Sequence, residues 1–250
     1  MNDLSTSNAL KVCFFDSGIG GLTLLYECAR KLTGDTKLYY FADNYNVPYG
    51  SLPEEELSAK VDATFKKIAS LDPAAVVIAC NTVTAMCAEK LRSKYSFPIV
   101  GIQPAVKQAV KGGNSCAILC TPATAGSKSL KELVQNYGEG RCRVVACPYL
   151  ASYIEENIFN LDEKELFSLL PDISADAVVL GCTHYAFVQK MIENIYHKPI
   201  FNGYEGTSNR LLSVLGKNCG GNSSFKVPDI TFCGGDEEKN KNVFFRTFFP

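Results

Sequence analysis

Ala75-Val76-Val77-Ile78-Ala79-Cys80-Asn81-Thr82 is echoed further along the chain by Ala177-Val178-Val179-Leu180-Gly181-Cys182-Thr183-His184. Each stretch is an apolar run rich in β-branched residues, closing on a small residue, a cysteine and then polar residues. A run without polar alternation is the pattern of a strand buried on both faces of a parallel sheet. Each cysteine therefore falls at a strand's carboxyl end. Ligands bind at that edge of open α/β sheets, because helix N-termini and their unpaired N–H groups gather there. One thiol in each half, at equivalent places, points to a paired chemical role.

Working outward from Cys80, Lys11-Val12-Cys13-Phe14-Phe15 reads as a first strand running into Asp16-Ser17-Gly18-Ile19-Gly20-Gly21, with a helix over 22–32. Such a glycine-rich turn lets backbone N–H groups approach an anion, and Ser17 adds a hydroxyl. The spacing is not GxGxxG and the acidic residue precedes the glycines, which argues against a dinucleotide pyrophosphate and for a small carboxylate. Asp16 reads equally well as a turn or capping residue. A second strand at 37–42 leads to Asp43 through Pro48-Tyr49-Gly50, which puts a phenol and backbone groups on the same sheet edge. A helix follows over 53–71, with Pro53 suited to its first turn. Past Cys80 the pattern predicts a helix over 83–94, whose dipole favours a thiolate at its N-terminus.

The second half copies this order. A helix over 103–111 precedes a strand at 115–120 that ends in Thr121-Pro122-Ala123-Thr124, the counterpart of the Asp16 segment. A helix to 137, a strand around 143–145 and helical patterns over 151–159 and 162–170 lead to the Cys182 strand. A helix over 184–195, a short strand at 200–201 and a helix over 207–215 come next, then a loop at 217–225 rich in glycine and asparagine. Ile230-Thr231-Phe232-Cys233, followed by Gly234-Gly235-Asp236, reads as a last strand and turn returning to the first sheet. The expected architecture is α/β: two similar domains with mainly parallel sheets, related by pseudo-two-fold symmetry, with the active site between them. The expected division is 1–101 plus 210–250 for a discontinuous first domain and 102–209 for the second.

Hydrophobic residues make 46% of the 250 residues and charged residues 20%, an ordinary globular balance. A formal charge of −1 supplies no basic field for nucleic acid. No apolar run is long enough to span a bilayer, and residues 1–10 carry no signal segment, so the expected location is the cytoplasm, with no membrane partner. In a reducing compartment most of the eleven cysteines are expected to be small buried hydrophobes. No CxxC pair exists, and with only His184 and His197 no spacing resembles a zinc site, so no metal and no cofactor are expected.

Two cysteines facing one cleft from opposite sides can deprotonate and reprotonate a carbon centre on its two faces, each thiol alternating between base and acid. Asp16 is placed to assist one and His184 the other. Together, Phe15 through Gly21, Ala42-Asp43 through Pro48-Tyr49-Gly50, Ala79 through Thr82, Gly101 through Val106 and Leu180 through Tyr185 resemble the glutamate racemases of the cofactor-independent aspartate/glutamate racemase superfamily. The resemblance spans almost the whole chain. It implies interconversion of L- and D-glutamate, supplying D-glutamate for peptidoglycan, with Cys80 and Cys182 as the catalytic acid/bases assisted by Asp16 and His184.

By the same resemblance Asp16, Ser17, Tyr49, Gly50, Asn81, Thr82, Thr124, Thr183 and His184 hold the substrate, and Glu155 lies near the site. A homodimer is the expected assembly. Two positions depart from the pattern: Gln103 stands where glutamate usually precedes Pro-Ala-Val, and Asn202-Gly203-Tyr204 replaces an aspartate-containing turn. The alternatives are an aspartate racemase, a redox dithiol protein and a non-catalytic binding protein. A redox pair needs Cα atoms roughly 4.4–6.8 Å apart, whereas a two-base site holds a substrate carbon between its sulfurs.

Overall fold

The computed structural model describes residues 9–32, 36–216 and 229–250; the 1–8 part of the N-terminal extension, Cys219 and the 217–225 loop lie outside them. In the first half β1 (Leu10–Asp16), α1 (Leu22–Lys31), β2 (Thr36–Ala42), α2 (Glu54–Ala69), β3 (Ala75–Ile78), α3 (Asn81–Lys94) and β4 (Ile99–Gly101) alternate. A short α4 (Val106–Ala109) leads to β5 (Cys116–Cys120), α5 (Pro122–Gly126), α6 (Lys128–Gly138), β6 (Cys142–Ala146), α7 (Leu150–Asn157), α8 (Glu163–Leu169), β7 (Ala177–Gly181), α9 (Gln189–Tyr196) and β8 (Ile200–Phe201). The chain closes with α10 (Tyr204–Val214), β9 (Ile230–Cys233) and α11 (Glu237–Phe248).

Among the described residues one sheet has the order β4-β3-β1-β2-β9 and the other β6-β5-β7-β8, and every pairing is parallel. Read from β2, the first sheet runs β2-β1-β3-β4 and the second β6-β5-β7-β8, the same winding. The strand carrying Cys80 and the strand carrying Cys182 thus hold equivalent places, each next to the first strand of its half. β9 extends the first sheet by pairing with β2, Leu38 opposite Ile230.

The absence of alternation in β1 and β3 follows from burial on both faces. Val12, Phe14, Ala75 and Val77 pack with Leu22, Leu25, Val243 and Phe244 of α1 and α11. Cys13, Phe15, Val76 and Ile78 pack on the other face with Leu57, Val61, Phe65 and Leu91 of α2 and α3. Burying each large apolar side chain contributes about 1.5–3 kcal/mol, so the paired faces fix strand order and register. In the second sheet Val178 and Leu180 meet Ile154, Leu166 and Ile192, while Ala177 and Val179 meet Val106, Ala109 and Leu130.

Several helix boundaries differ from the sequence reading; α10, expected over 207–215, begins already at Tyr204, and four others bear on the site. α3 begins at Asn81, with Cys80 as its N-cap and the Thr84 N–H donating to the Cys80 carbonyl at 2.9 Å. The helix expected over 103–111 shrinks to α4, because Pro104 lacks an N–H and Gly112 turns into the left-handed region at φ 78°. The helix expected up to 137 is split at Ser127, whose extended backbone lets its hydroxyl cap α6 through the Leu130 N–H at 3.2 Å. The segment after Cys182 is a 3-10 turn over Thr183–Val188, and α9 starts only at Gln189.

Candidate active site

Cys80 and Cys182 stand just past the carboxyl ends of β3 and β7, 6% and 8% exposed, and both are free thiols. Their surroundings differ. The Cys80 sulfur lies 3.8 Å from Ser17 Oγ, whereas the Cys182 sulfur lies 3.8 Å from His184 Nδ1. Burial first and the carboxylate of Asp16 second push the Cys80 thiol well above its ordinary range, although the Val83 N–H at the helix start favours its thiolate as expected. A negative charge next to a buried thiol outweighs one helix terminus. Elsewhere burial pushes Cys13 and Cys120 up to about 12, which leaves them inert packing residues.

Asp16 is fully buried at the end of β1. Its Oδ1 accepts the Gly18 N–H at 2.8 Å and its Oδ2 accepts the Thr183 hydroxyl at 3.1 Å, a bond that links the two halves. Burial raises its pKa to about 6, held from going further by His184 and the Gly18 N–H. His184 directs Nε2 at Glu155 Oε2, 2.8 Å away. Burial disfavours its charge, yet the contacts with Cys182 and Glu155 prevail and hold it protonated well above the usual histidine range. Burial likewise opposes the charge on Glu155, and the His184 contact overrides it, keeping the carboxylate ionised.

The glycine-rich turn does approach an anion closely, and that anion is Glu155 from α7: the Ile19 N–H donates to Glu155 Oε2 at 2.8 Å. The glycines are there for proximity. A Cβ on Gly18 would strike the Glu155 carboxylate, and one on Gly20 would strike His184 Nδ1 and Thr183 Oγ1.

Thr82, Thr121 and Thr124 bring three hydroxyls together, Thr82 Oγ1 lying 3.0 Å from Thr121 Oγ1 and 3.2 Å from Thr124 Oγ1. Beside them Asn81 is buried with both side-chain amide atoms unpartnered. A buried amide without partners costs on the order of 1–3 kcal/mol, so the site holds an unfilled donor and acceptor at the first turn of α3. Tyr49 is buried, but its hydroxyl donates to Asp43 Oδ2 at 2.6 Å, so the phenol faces Asp43. Gly50 lies against Thr121, whose side chain a Cβ there would hit. Thr121, Asn44 and Lys239 escaped the sequence reading. Thr121 was legible as the counterpart of Ser17; Asn44 and Lys239 reach the site only through long-range packing and carry no local signal. Among the described residues no three His, Cys, Asp or Glu side chains group so as to hold a metal ion.

The fold and the site define an α/β protein with one free thiol at an equivalent strand end of each sheet. Residues 22–207 match the family model for Asp/Glu/Hydantoin racemase. A glutamate racemase from Clostridium botulinum strain 657 is 35% identical over 243 residues, covering 93% of this chain and 94% of that protein. One from Campylobacter curvus is 36% identical over 224 residues, 83% and 84% of the two chains. The solved Escherichia coli glutamate racemase, in complex with L-glutamate and the activator UDP-MurNAc-ala, superposes with a TM-score of 0.76 at 24% identity, over 93% of this chain and 92% of that one. The chain belongs to the Asp/Glu/Hydantoin racemase family.

Proposed function

We propose that this chain is a glutamate racemase, interconverting L- and D-glutamate by proton transfer at the α-carbon and supplying D-glutamate for peptidoglycan. The observation that carries the reading is the pair of free thiols at equivalent strand ends, each with its own polar partner. The curated relatives at 35% and 36% identity, both glutamate racemases, support glutamate as the substrate.

In this reading the α-carbon stands between the two sulfurs. Cys80 takes the α-proton from D-glutamate while Cys182 delivers one to the opposite face; from L-glutamate the roles exchange. Asp16 and Ser17 serve the Cys80 side. His184, charged and backed by Glu155, faces the Cys182 sulfur through Nδ1 and is placed to exchange a proton with it. Asn81, Thr82, Thr124 and Thr183 hold the substrate's carboxylates and ammonium, the Asn81 amide gaining the partners it lacks. Tyr49 and Gly50 shape the wall against Asp43 and Thr121.

The reading assigns no cofactor, so activity survives exhaustive dialysis against chelator and the protein shows no pyridoxal absorbance. It assigns a cytoplasmic homodimer; no helix among the described residues is long and apolar enough to cross a membrane, and sedimentation of the purified chain checks the assembly. The proposed domain division is 1–101 with 210–250 and 102–209; just past the first crossing, Gly203 packs against the Gln103 carbonyl. The two departures from the family pattern thus touch each other there. The deciding experiment incubates the chain with each enantiomer of glutamate and of aspartate in deuterated water. Inversion of glutamate with deuterium at the α-carbon is expected; inversion of aspartate alone, or of neither, overturns the reading.

A further inference from the structure

The carboxylate of Glu155 has four partners, and one of them, Lys239, comes from the last helix of the chain. Its Oε2 accepts from the Ile19 N–H and faces His184 Nε2. Its Oε1 accepts from Asn44 Nδ2 at 2.9 Å and from Lys239 Nζ at 3.0 Å, and Lys239 Nζ also donates to the Glu155 main-chain carbonyl at 2.8 Å. The Lys239 side chain is 27% exposed while that of Glu155 is 3% exposed.

The first turn of α11 is laid out for this contact. The Asp236 side chain caps the helix by accepting the Lys239 N–H at 2.9 Å. The fully buried Asn240 donates from Nδ2 to Asn44 Oδ1 at 2.9 Å, which orients the Asn44 amide toward Glu155. Gly235, at φ 56°, lies so close that a Cβ would strike Asn44.

We infer that Lys239 is a positioning residue for the Cys182 half of the reaction: it fixes one oxygen and the backbone of Glu155, so that the other oxygen holds the His184 ring with Nδ1 on the Cys182 sulfur. Without Lys239 the Oε1 oxygen keeps only Asn44 and the main-chain carbonyl loses its donor, so the carboxylate is freer to rotate about its terminal torsion, which is broad, and its hold on the ring loosens. The Cys80 sulfur rests on Ser17 and meets this chain of contacts at one remove, through the turn whose Ile19 N–H binds the other oxygen of Glu155 and through Asp16, which His184 influences. The consequence is one-sided. Loss of Lys239 impairs proton removal by Cys182 and spares removal by Cys80. This assignment of sides rests on the two-cysteine reading above.

The test compares the wild-type chain with Lys239→Met and Lys239→Arg in two assays. The first follows chloride release from L- and D-3-chloroglutamate, in which a thiolate takes the α-proton, the C–Cl electron pair leaves as chloride and a carbon–carbon double bond forms between them. Lys239→Met is expected to slow release from the L enantiomer about tenfold, the order of one unit of proton affinity, and to leave the D enantiomer within about twofold; Lys239→Arg restores the L rate. The second measures iodoacetamide alkylation of Cys182 relative to Cys80 by peptide mass spectrometry, and needs no substrate. The Cys182 to Cys80 ratio is expected to fall severalfold in Lys239→Met and to recover in Lys239→Arg. A merely structural lysine moves both enantiomers and both thiols together, and that result, or an unchanged ratio, overturns the inference. If wild type releases no chloride while the alkylation ratio still falls in Lys239→Met, the substrate reading fails and the assignment of Lys239 stands.

Discussion

The two cysteine sites begin alike and end differently. Cys80 and Cys182 follow buried parallel strands of the same rank in the two sheets, yet Cys80 caps a full α-helix whereas Cys182 enters a 3-10 turn. The tighter turn puts His184 Nδ1 within 3.8 Å of the Cys182 sulfur. At Cys80 burial, and after it the carboxylate of Asp16, raises the thiol's proton affinity; at Cys182 an imidazolium faces the sulfur. The duplication thus supplies position, and the residues at and just beyond the strand ends, Asp16 and Ser17 for Cys80 and His184 for Cys182, supply the chemistry. A two-base inversion needs that asymmetry, since one sulfur must hold a proton while the other lacks one.

The largest expected effect comes from removing either thiol. Cys80→Ser and Cys182→Ser should each lower racemisation roughly 10²- to 10⁴-fold, the usual worth of a positioned acid or base. The two enantiomers have equal free energy, so kcat/KM must fall by the same factor in both directions in either variant. Racemisation assays check the size of the loss; full activity in either variant would remove that thiol from the chemistry.

Glu155→Gln tests the support of the Cys182 side. It leaves a buried imidazole without its carboxylate, for a loss of about 3 kcal/mol of stability. The sign follows from linkage. His184, raised above the ordinary histidine value of 6.5, contributes stability present below about that pH and lost as pH rises through its folded value. Glu155, lowered from 4.5, contributes stability present above about that pH and lost as pH falls through its folded value. Denaturant melts should therefore show the wild-type advantage fullest between pH 4.5 and 6.5 and shrinking on either side. An advantage independent of pH would contradict the charged pair.

Gly18→Ala drives a Cβ into the Glu155 carboxylate, whereas the space around Gly126 is open to 4 Å. The first substitution should cost about 1–3 kcal/mol, as overpacking does, and Gly126→Ala should be close to neutral. Equal melting temperatures for the two variants would mean that the turn does not press on Glu155.

The smallest effect concerns the Cys80 side. With Asp16 near pKa 6, the kcat/KM profile of the wild type should rise through about pH 6 as Asp16 ionises, and Asp16→Asn should lose that limb. The same shift makes Asp16 a stabilising contribution below about pH 3.8 that is lost as pH rises through about 6. An unchanged acid limb in Asp16→Asn assigns it to another group.

The strands, the placement of both cysteines at strand ends and the α/β class were legible because they depend on local apolar runs and on punctuation by Gly18, Gly20, Gly21 and Pro53; the order of the strands in each sheet was not, since it is set by pairing between distant segments. The chain also announced the return of β9, an apolar segment followed by two glycines. Helix starts were less legible: nothing local distinguishes the α-helical turn after Cys80 from the 3-10 turn after Cys182, since tertiary contacts of His184 with Glu155 decide it. The engagement of the Tyr49 phenol by Asp43 and the reach of Lys239 to Glu155 join residues that only folding brings together. Sequence pattern reports burial and periodicity; it does not report which buried polar group answers which.

The most direct test of face-specific thiols is chloride release from the two enantiomers of 3-chloroglutamate by Cys80→Ser and Cys182→Ser. The account predicts a crossed pattern, with Cys80→Ser retaining release from the L enantiomer and losing it from the D, and Cys182→Ser the reverse. Equal loss with both enantiomers in both variants would contradict it.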